Sequence, residues 1–321
     1  MSTVRASANL FRGYAPAVPT PFTRDGKVDL WALERYCDWQ IKEGASAIVV
    51  CGTTGEAPTL TTAEHKAIVR AAVNVSSGRV LVIAGAGSNS TTHAVELTRQ
   101  AAAAGADAIL SVVPYYNRPT PRGVQGHFTA IMEAATIPVI LYDVPSRTGC
   151  GLTEDVIVRL SRHPRCMGLK DATGDVSRAL RLRTKLGPRF GLWSGDDSTA
   201  LAFLAHGGDG CISVTSNVAP GLCKDMYEAW ERGDRPEFQR LMAIILDLTT
   251  VLFREGSPAP VKYALSLRGL MDACVRPPLC EVTDPTKFEI RSVVAELFGR
   301  NVTVDTMFSP PKSERRSALA V

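Results

Sequence analysis

The chain has 321 residues, is 45% hydrophobic and 21% charged, and contains 26 glycines and 20 prolines. These are globular values, and the length allows one large α/β domain or two smaller ones without help from disulfides or metals. The net charge of +4, from 36 basic and 32 acidic residues, comes with no long basic block in the body of the chain, which argues against nucleic acid as a partner.

Eight cysteines lie at 37, 51, 150, 166, 211, 223, 274 and 280. None forms a CxxC, and Cys274 and Cys280 have no His or Cys at zinc-ligand spacing, so no metal is expected. The apolar surroundings of Cys51 and Cys211 predict buried reduced thiols, which suits a cytoplasmic setting. The opening MSTVRASANLF has no apolar signal core, and no stretch reaches membrane-spanning length. A soluble protein with no membrane partner is therefore expected.

In chain order, a weak apolar strand (14–22) precedes a periodic helical segment (29–44), then a strand (47–52) and a helix (61–76). The alternation continues with a strand at 80–87, a helix at 91–105, a strand at 107–116, a helix at 122–136 and a strand at 138–145. Three further strands are expected at 166–172, 189–197 and 209–217, followed by helix-period sequence from about 220 to 299. Strands apolar on both faces, each followed by a helix, imply parallel pairing under a helical cover. Eight units at roughly 30-residue spacing fit a (β/α)8 TIM barrel with a C-terminal helical extension. An open doubly wound sheet is the competitor, because GAGSNS (85–90) partly resembles a dinucleotide-binding turn. It lacks the third glycine, and no acidic residue ends the next strand. The expected organisation is a catalytic barrel over 10–232, a helical region over 233–300 and a disordered tail over 301–321, where Pro and charge leave little to bury.

In such a barrel the site forms at the strand C-termini. The residues collected there are Thr20, the turn Gly52–Thr53–Thr54–Gly55–Glu56, Tyr115, Tyr116, Tyr142, Arg147, Lys170, Gly195, Asp196, Ile212 and Ser213. Acids are few and no histidine ends a strand, which argues against divalent-metal chemistry and a Ser-His-Asp triad. Lysine is the side chain suited to a Schiff base with a ketone, and an apolar barrel mouth favours a neutral amine. On position alone, a lysine here is more often one that snorkels out of the mouth. Tyr142, at the end of the preceding strand, is either a proton carrier or an aromatic lid. The Thr53–Thr54 turn can hold a small carboxylate on its N–H groups or serve as a plain capped connection. Arg147 is placed either for bidentate carboxylate binding or for a surface ion pair. Tyr115 and Tyr116 follow Pro114, and adjacent side chains diverge, so one is expected on the site and one on an interface.

The motifs GTTGEAPTL, VVPYYNRPT, LYDVPSRTG, GLKDATGD, WSGDDSTAL and ISVTSNVAP stand in the order found in the dihydrodipicolinate synthase / N-acetylneuraminate lyase family of class I aldolases, which the chain resembles from about residue 12 to 300. The resemblance implies that Lys170 forms the Schiff base with pyruvate and that Tyr142 is the general acid/base. It implies that Thr53 links Tyr142 to Tyr116 of a neighbouring subunit in a proton relay. Thr54 and its loop would hold the pyruvate carboxylate, Ile212 would approach the Schiff base through its carbonyl, and Gly195 would adjoin the substrate. Arg147 implies aspartate semialdehyde as second substrate, giving 4-hydroxy-tetrahydrodipicolinate. No cofactor is implied, and a homotetramer built as a dimer of dimers is.

Two departures from the family stand out. Asp143 replaces a more usual Asn, and is expected to point away from the site. His65, Asn89 and Tyr115 match a regulatory lysine site, but Ala57, Pro58, Thr62 and His93 depart from it. His93 stands where an acid would pair the lysine amine, so weak feedback by lysine is expected. The alternatives are a lyase for N-acetylneuraminate or a 2-keto-3-deoxy sugar acid on the same scaffold, and a non-catalytic barrel that binds a keto acid.

Overall fold

Eight parallel strands alternate with helices and close on themselves in a computed structural model of the chain, which describes residues 11–299. The expected tail at 301–321 lies outside the described residues. The first half runs β1 (Gly13–Pro16), α1 (Leu30–Lys42), β2 (Ala47–Val50), α2 (Thr62–Ser76), β3 (Leu81–Gly85), α3 (Thr91–Ala103), β4 (Ala108–Val112) and α4 (Pro121–Ala134). It continues with β5 (Val139–Asp143), the single turn α5 (Pro145–Thr148), α6 (Glu154–Leu160), β6 (Cys166–Asp171), α7 (Val176–Leu186), β7 (Gly191–Ser194), α8 (Ala200–Ala205) and β8 (Gly210–Ser213). Four helices follow: α9 (Pro220–Glu231), α10 (Arg235–Leu252), α11 (Ala259–Leu267) and α12 (Asp284–Phe298).

The strands pair in the order β1-β8-β7-β6-β5-β4-β3-β2, and a bridge from Ala17 to Val49 joins the two ends. The result is a (β/α)8 barrel, so no sheet edge is left open. The open-sheet alternative is excluded by this closure. The strands are shorter than the apolar runs that announced them. β1 covers only residues 14–16 of the 14–22 run, because the prolines at 16, 19 and 21 cannot donate to a ladder.

Alternation along each strand makes two cores. Outward residues pack under the helices in a cluster that also takes in Leu248 and Leu252 of α10, Val261 and Leu265 of α11, and Ile290 of α12. The C-terminal helices therefore share the barrel's core. Inward residues fill the axis, where Trp193 is fully buried and stacks on Phe11 at 4.8 Å. A Cβ at Gly168 or Gly191 would lie within 2.7 Å of the Trp193 ring, so these two glycines clear the space the indole occupies. Helix starts follow the sequence signals: Thr61 and Glu64 form a reciprocal capping box on α2, and Asp29, Ser90, Thr120 and Thr153 each cap a helix through the side chain. Among the described residues no helix is long and apolar enough to cross a membrane, and no group of His, Cys, Asp and Glu could hold a metal ion.

Candidate active site

Register decides which side chains meet at the mouth. Tyr142 on β5 lies opposite Lys170 on β6, and Lys170 lies opposite Trp193 on β7. All three point inward, so Lys170 stands one layer above the indole plug. Its side chain is 6% exposed, and its Nζ lies 4.4 Å from the centroid of the Tyr142 ring. Gly195 supplies the room. A Cβ there would fall 2.8 Å from Lys170 Cε and 2.9 Å from Ala172 Cβ. The glycine is thus required by the lysine's volume. Ile212, on β8, is buried in the same axial cluster.

Asp143 and Asp171 follow Tyr142 and Lys170 and so face outward. Asp143 accepts hydrogen bonds from Arg178 at 2.8 Å and from the Leu152 N–H at 3.1 Å, and Arg178 also pairs with Asp171 at 3.3 Å. Burial pushes the Asp143 carboxyl above the usual range, while Arg178 pulls it down. This clamp ties β5 to β6 one residue beyond the inward pair, and it keeps the Asp143 carboxylate off the Tyr142 side of the strand.

A cavity of about 390 Å³ opens beside Tyr142 and is lined also by Thr53, Arg147, Tyr115, His65 and His93. Tyr142 belongs to both groups: its ring faces the amine and it also forms part of the cavity wall. Lys170, Gly195 and Ile212 lie in the axial layer instead of on that wall. Arg147, exposed on α5, makes no ion pair or side-chain hydrogen bond among the described residues, so the surface ion pair considered above is not formed.

The 52–56 turn is fixed from below. Thr20 donates to the Gly55 carbonyl at 2.6 Å, and the Glu56 N–H donates to the Thr53 carbonyl at 3.1 Å. Among the described residues the N–H groups of Thr53, Thr54 and Gly55 donate no hydrogen bond. Consecutive unused N–H donors on a turn are suited to receiving an anion. Thr53 lines the cavity, whereas Thr54 is buried and does not.

Other expected members stand apart. Tyr116 has a positive φ of 70° and is 90% exposed, turned away from its own cavity. Thr53, Tyr142 and Tyr116 share no hydrogen bond among the described residues, so no relay forms within one protomer. His65 Nε2 donates to the Gly85 carbonyl at 2.7 Å, and the ring, with Tyr115, lines the cavity. Asn89 does not; its carbonyl accepts from Asn117 at 3.1 Å.

One neighbour of the amine escaped the sequence reading. Asp197, half-buried after β7, accepts from the Ser213 hydroxyl and from the Val214 N–H at 2.8 Å. Burial pushes its carboxyl upward; these hydrogen bonds and the nearby Lys170 charge pull it down. The SGDD turn offered two adjacent acids, and the strand period alone does not tell which one turns toward the lysine.

The comparisons with known proteins agree with this fold. The model of the dihydrodipicolinate synthetase family matches residues 10–297. A 4-hydroxy-tetrahydrodipicolinate synthase from Rhodospirillum centenum is 47% identical over 287 residues, covering 89% of this chain and 98% of that one. The chloride-inhibited dihydrodipicolinate synthase from Acinetobacter baumannii, solved in complex with pyruvate, superposes with a TM-score of 0.86 at 42% identity, over 89% of this chain and 98% of its own. The enzyme from Cyanidioschyzon merolae, solved with lysine bound, gives 0.87 at 37% identity, over 89% and 99%. The chain belongs to the dihydrodipicolinate synthetase family.

Proposed function

We propose that the protein condenses pyruvate with L-aspartate 4-semialdehyde to 4-hydroxy-tetrahydrodipicolinate, a lyase-class step of lysine and diaminopimelate biosynthesis, through a Schiff base on Lys170. The observation that carries the reading is the inward Lys170–Tyr142 pair at 4.4 Å, flanked by a turn with three unused N–H donors and by an unpaired Arg147. An amine, a phenol, an anion nest and a guanidinium match a keto acid that must be bound, activated and met by a second carboxylate.

In this reading Lys170 adds to the pyruvate ketone, and loss of water gives the imine. Tyr142 passes the protons that carbinolamine and enamine formation require. The Thr53–Thr54–Gly55 N–H groups hold the pyruvate carboxylate, and Ile212 borders the imine through its carbonyl. The enamine carbon then bonds to the aldehyde carbon of aspartate semialdehyde, whose carboxylate Arg147 receives. Attack of the semialdehyde's amine on the imine carbon closes the ring and frees Lys170. The lysine is the electron sink, so the steps use no added cofactor.

Tyr116 completes the proton path from a second protomer, which its outward position supports, and a tetramer formed as a dimer of dimers is the proposed assembly. The free thiols of the eight cysteines fit a cytoplasmic enzyme. At the His65–Tyr115 end of the cavity, Ala57, Pro58 and His93 present no carboxylate, so feedback by lysine is weak. Sub-millimolar inhibition in a lysine titration would contradict that. The functional test is a coupled assay with aspartate semialdehyde run against N-acetylneuraminate and 2-keto-3-deoxygluconate, with Lys170→Ala as control. Turnover of a sugar acid in preference to the semialdehyde would overturn the assignment.

A further inference from the structure

Glu56 ends the turn that the reading above gives to the pyruvate carboxylate, yet none of the steps uses it. Its side chain is fully buried and meets the equally buried Lys262 ammonium at 2.5 Å, across 206 residues of sequence. The second carboxylate oxygen accepts the Arg276 N–H at 2.9 Å. Lys262 also donates to the Cys274 carbonyl at 2.7 Å and stands 4.1 Å over the Phe22 ring. On the same ring, at 4.3 Å, lies the Arg276 guanidinium, which donates to the Thr59 and Gly26 carbonyls and pairs with Glu64. The turn, α2, the segment after β1 and the C-terminal region therefore meet around Lys262 and Arg276.

Stability alone is a weak account of this pair. A buried ion pair repays its desolvation poorly, and well-packed apolar side chains serve a core as well or better. What two ions add is direction. Glu56 carries a φ of 56°, a left-handed conformation sparsely populated by residues other than glycine and held only where the surroundings over-determine it. Here the side chain supplies that constraint, since Lys262 and the Arg276 N–H grip both oxygens. The grip sits one residue from Gly55, the last of the three unused N–H donors.

We propose that Glu56 and Lys262 are positioning residues for pyruvate: they act through the 52–56 turn, without touching substrate, to aim its N–H groups at the carboxylate. The proposal rests on the Schiff-base reading given above. It also gives the C-terminal helical region a part in substrate binding, through α11.

The test uses the full-length protein carrying Glu56→Gln together with Lys262→Met, a neutral pair that avoids stranding a buried charge, with Glu56→Gln alone as the second variant should the first not fold. Thermal unfolding establishes the folded state, and steady-state kinetics then vary each substrate in turn. The expected result is a rise of roughly tenfold in the pyruvate KM, the worth of one charge-assisted hydrogen bond. kcat and the semialdehyde KM should stay within about threefold, because the lost interaction is one of binding. Trapping of pyruvate by borohydride at Lys170 should slow at low pyruvate and recover at saturation. An unchanged pyruvate KM in a folded variant overturns the positioning role, as does a proportional loss in both substrates. Absence of a pyruvyl adduct in the unsubstituted protein would instead overturn the functional reading itself, so the two failures are distinguishable.

Discussion

A methyl group on Gly195 would press within 2.8 Å of Lys170 Cε, so Gly195→Ala must swing the lysine or push β7 away from β6. We expect kcat to fall roughly a hundredfold, the usual penalty for displacing a reacting group by about an ångström, with thermal unfolding little changed. Wild-type kcat in a folded Gly195→Ala protein would contradict the packing argument. Arg147 makes the complementary case, since its guanidinium has no partner among the described residues. Arg147→Ala should raise the semialdehyde KM by tenfold or more while pyruvate trapping proceeds normally; equal damage to both substrates would argue against its assignment. Lys170 and Tyr142 were legible in the sequence because each stands at the C-terminal end of an apolar run, where a parallel barrel builds its site; that both side chains point inward came only with the strand register. Gly195 was legible as a neighbour of the site but not as the space that accommodates the lysine. Asp197 was missed because the doublet of acids after β7 gives no local clue to which one turns in.

Packing between helices carries a pH signature. Thr91 at the start of α3 and His127 on α4 meet at 2.9 Å, while His127 Nε2 is buried without a partner. Burial pushes His127 down to about 4, so the folded state keeps the ring neutral where the unfolded chain binds a proton near its usual value of about 6.5. The unfolded chain holds more protons in that interval. The stability His127 contributes is therefore complete above pH 6.5 and lost as pH falls toward 4, by at most ~1.4 kcal/mol per pH unit. His65, also pushed down by burial, adds a slope of the same sign. Asp143 and Asp197, pushed up, add the opposite one, with stability lost as pH rises through their folded values. Comparing melting temperatures of the wild type and His127→Asn between pH 7 and 4 isolates the histidine. The variant should melt lower at neutral pH and lose less on acidification; parallel curves would contradict the assignment.

Helix and strand succession was readable because parallel strands are apolar on both faces and the intervening helices carry a clear period. Tertiary ties such as Glu56–Lys262 leave no such trace, since nothing local marks residues 206 positions apart as partners.

The exposed Tyr116 is where the proposed assembly is tested. With 90% of its surface open in one protomer, an aromatic residue on a tyrosine pair after β4 is placed to reach a second copy. If it serves the neighbour's site, mixing inactive Lys170→Ala and Tyr116→Phe proteins should restore activity, because each mixed dimer contains one site with both Lys170 and Tyr116. Mixed dimers no more active than the separate variants would contradict a shared site. The sequence pointed to this arrangement only through family resemblance, because self-association leaves no period in a single chain.

The central claim is that Lys170 forms an imine with pyruvate. Incubation of the full-length protein with pyruvate and borohydride, followed by proteolysis and mass spectrometry, tests it directly. The account predicts one reduced pyruvyl group per chain, located on Lys170 and absent from Lys170→Ala. A protein that stays unmodified, or is modified at another lysine to the same extent in both, would contradict it.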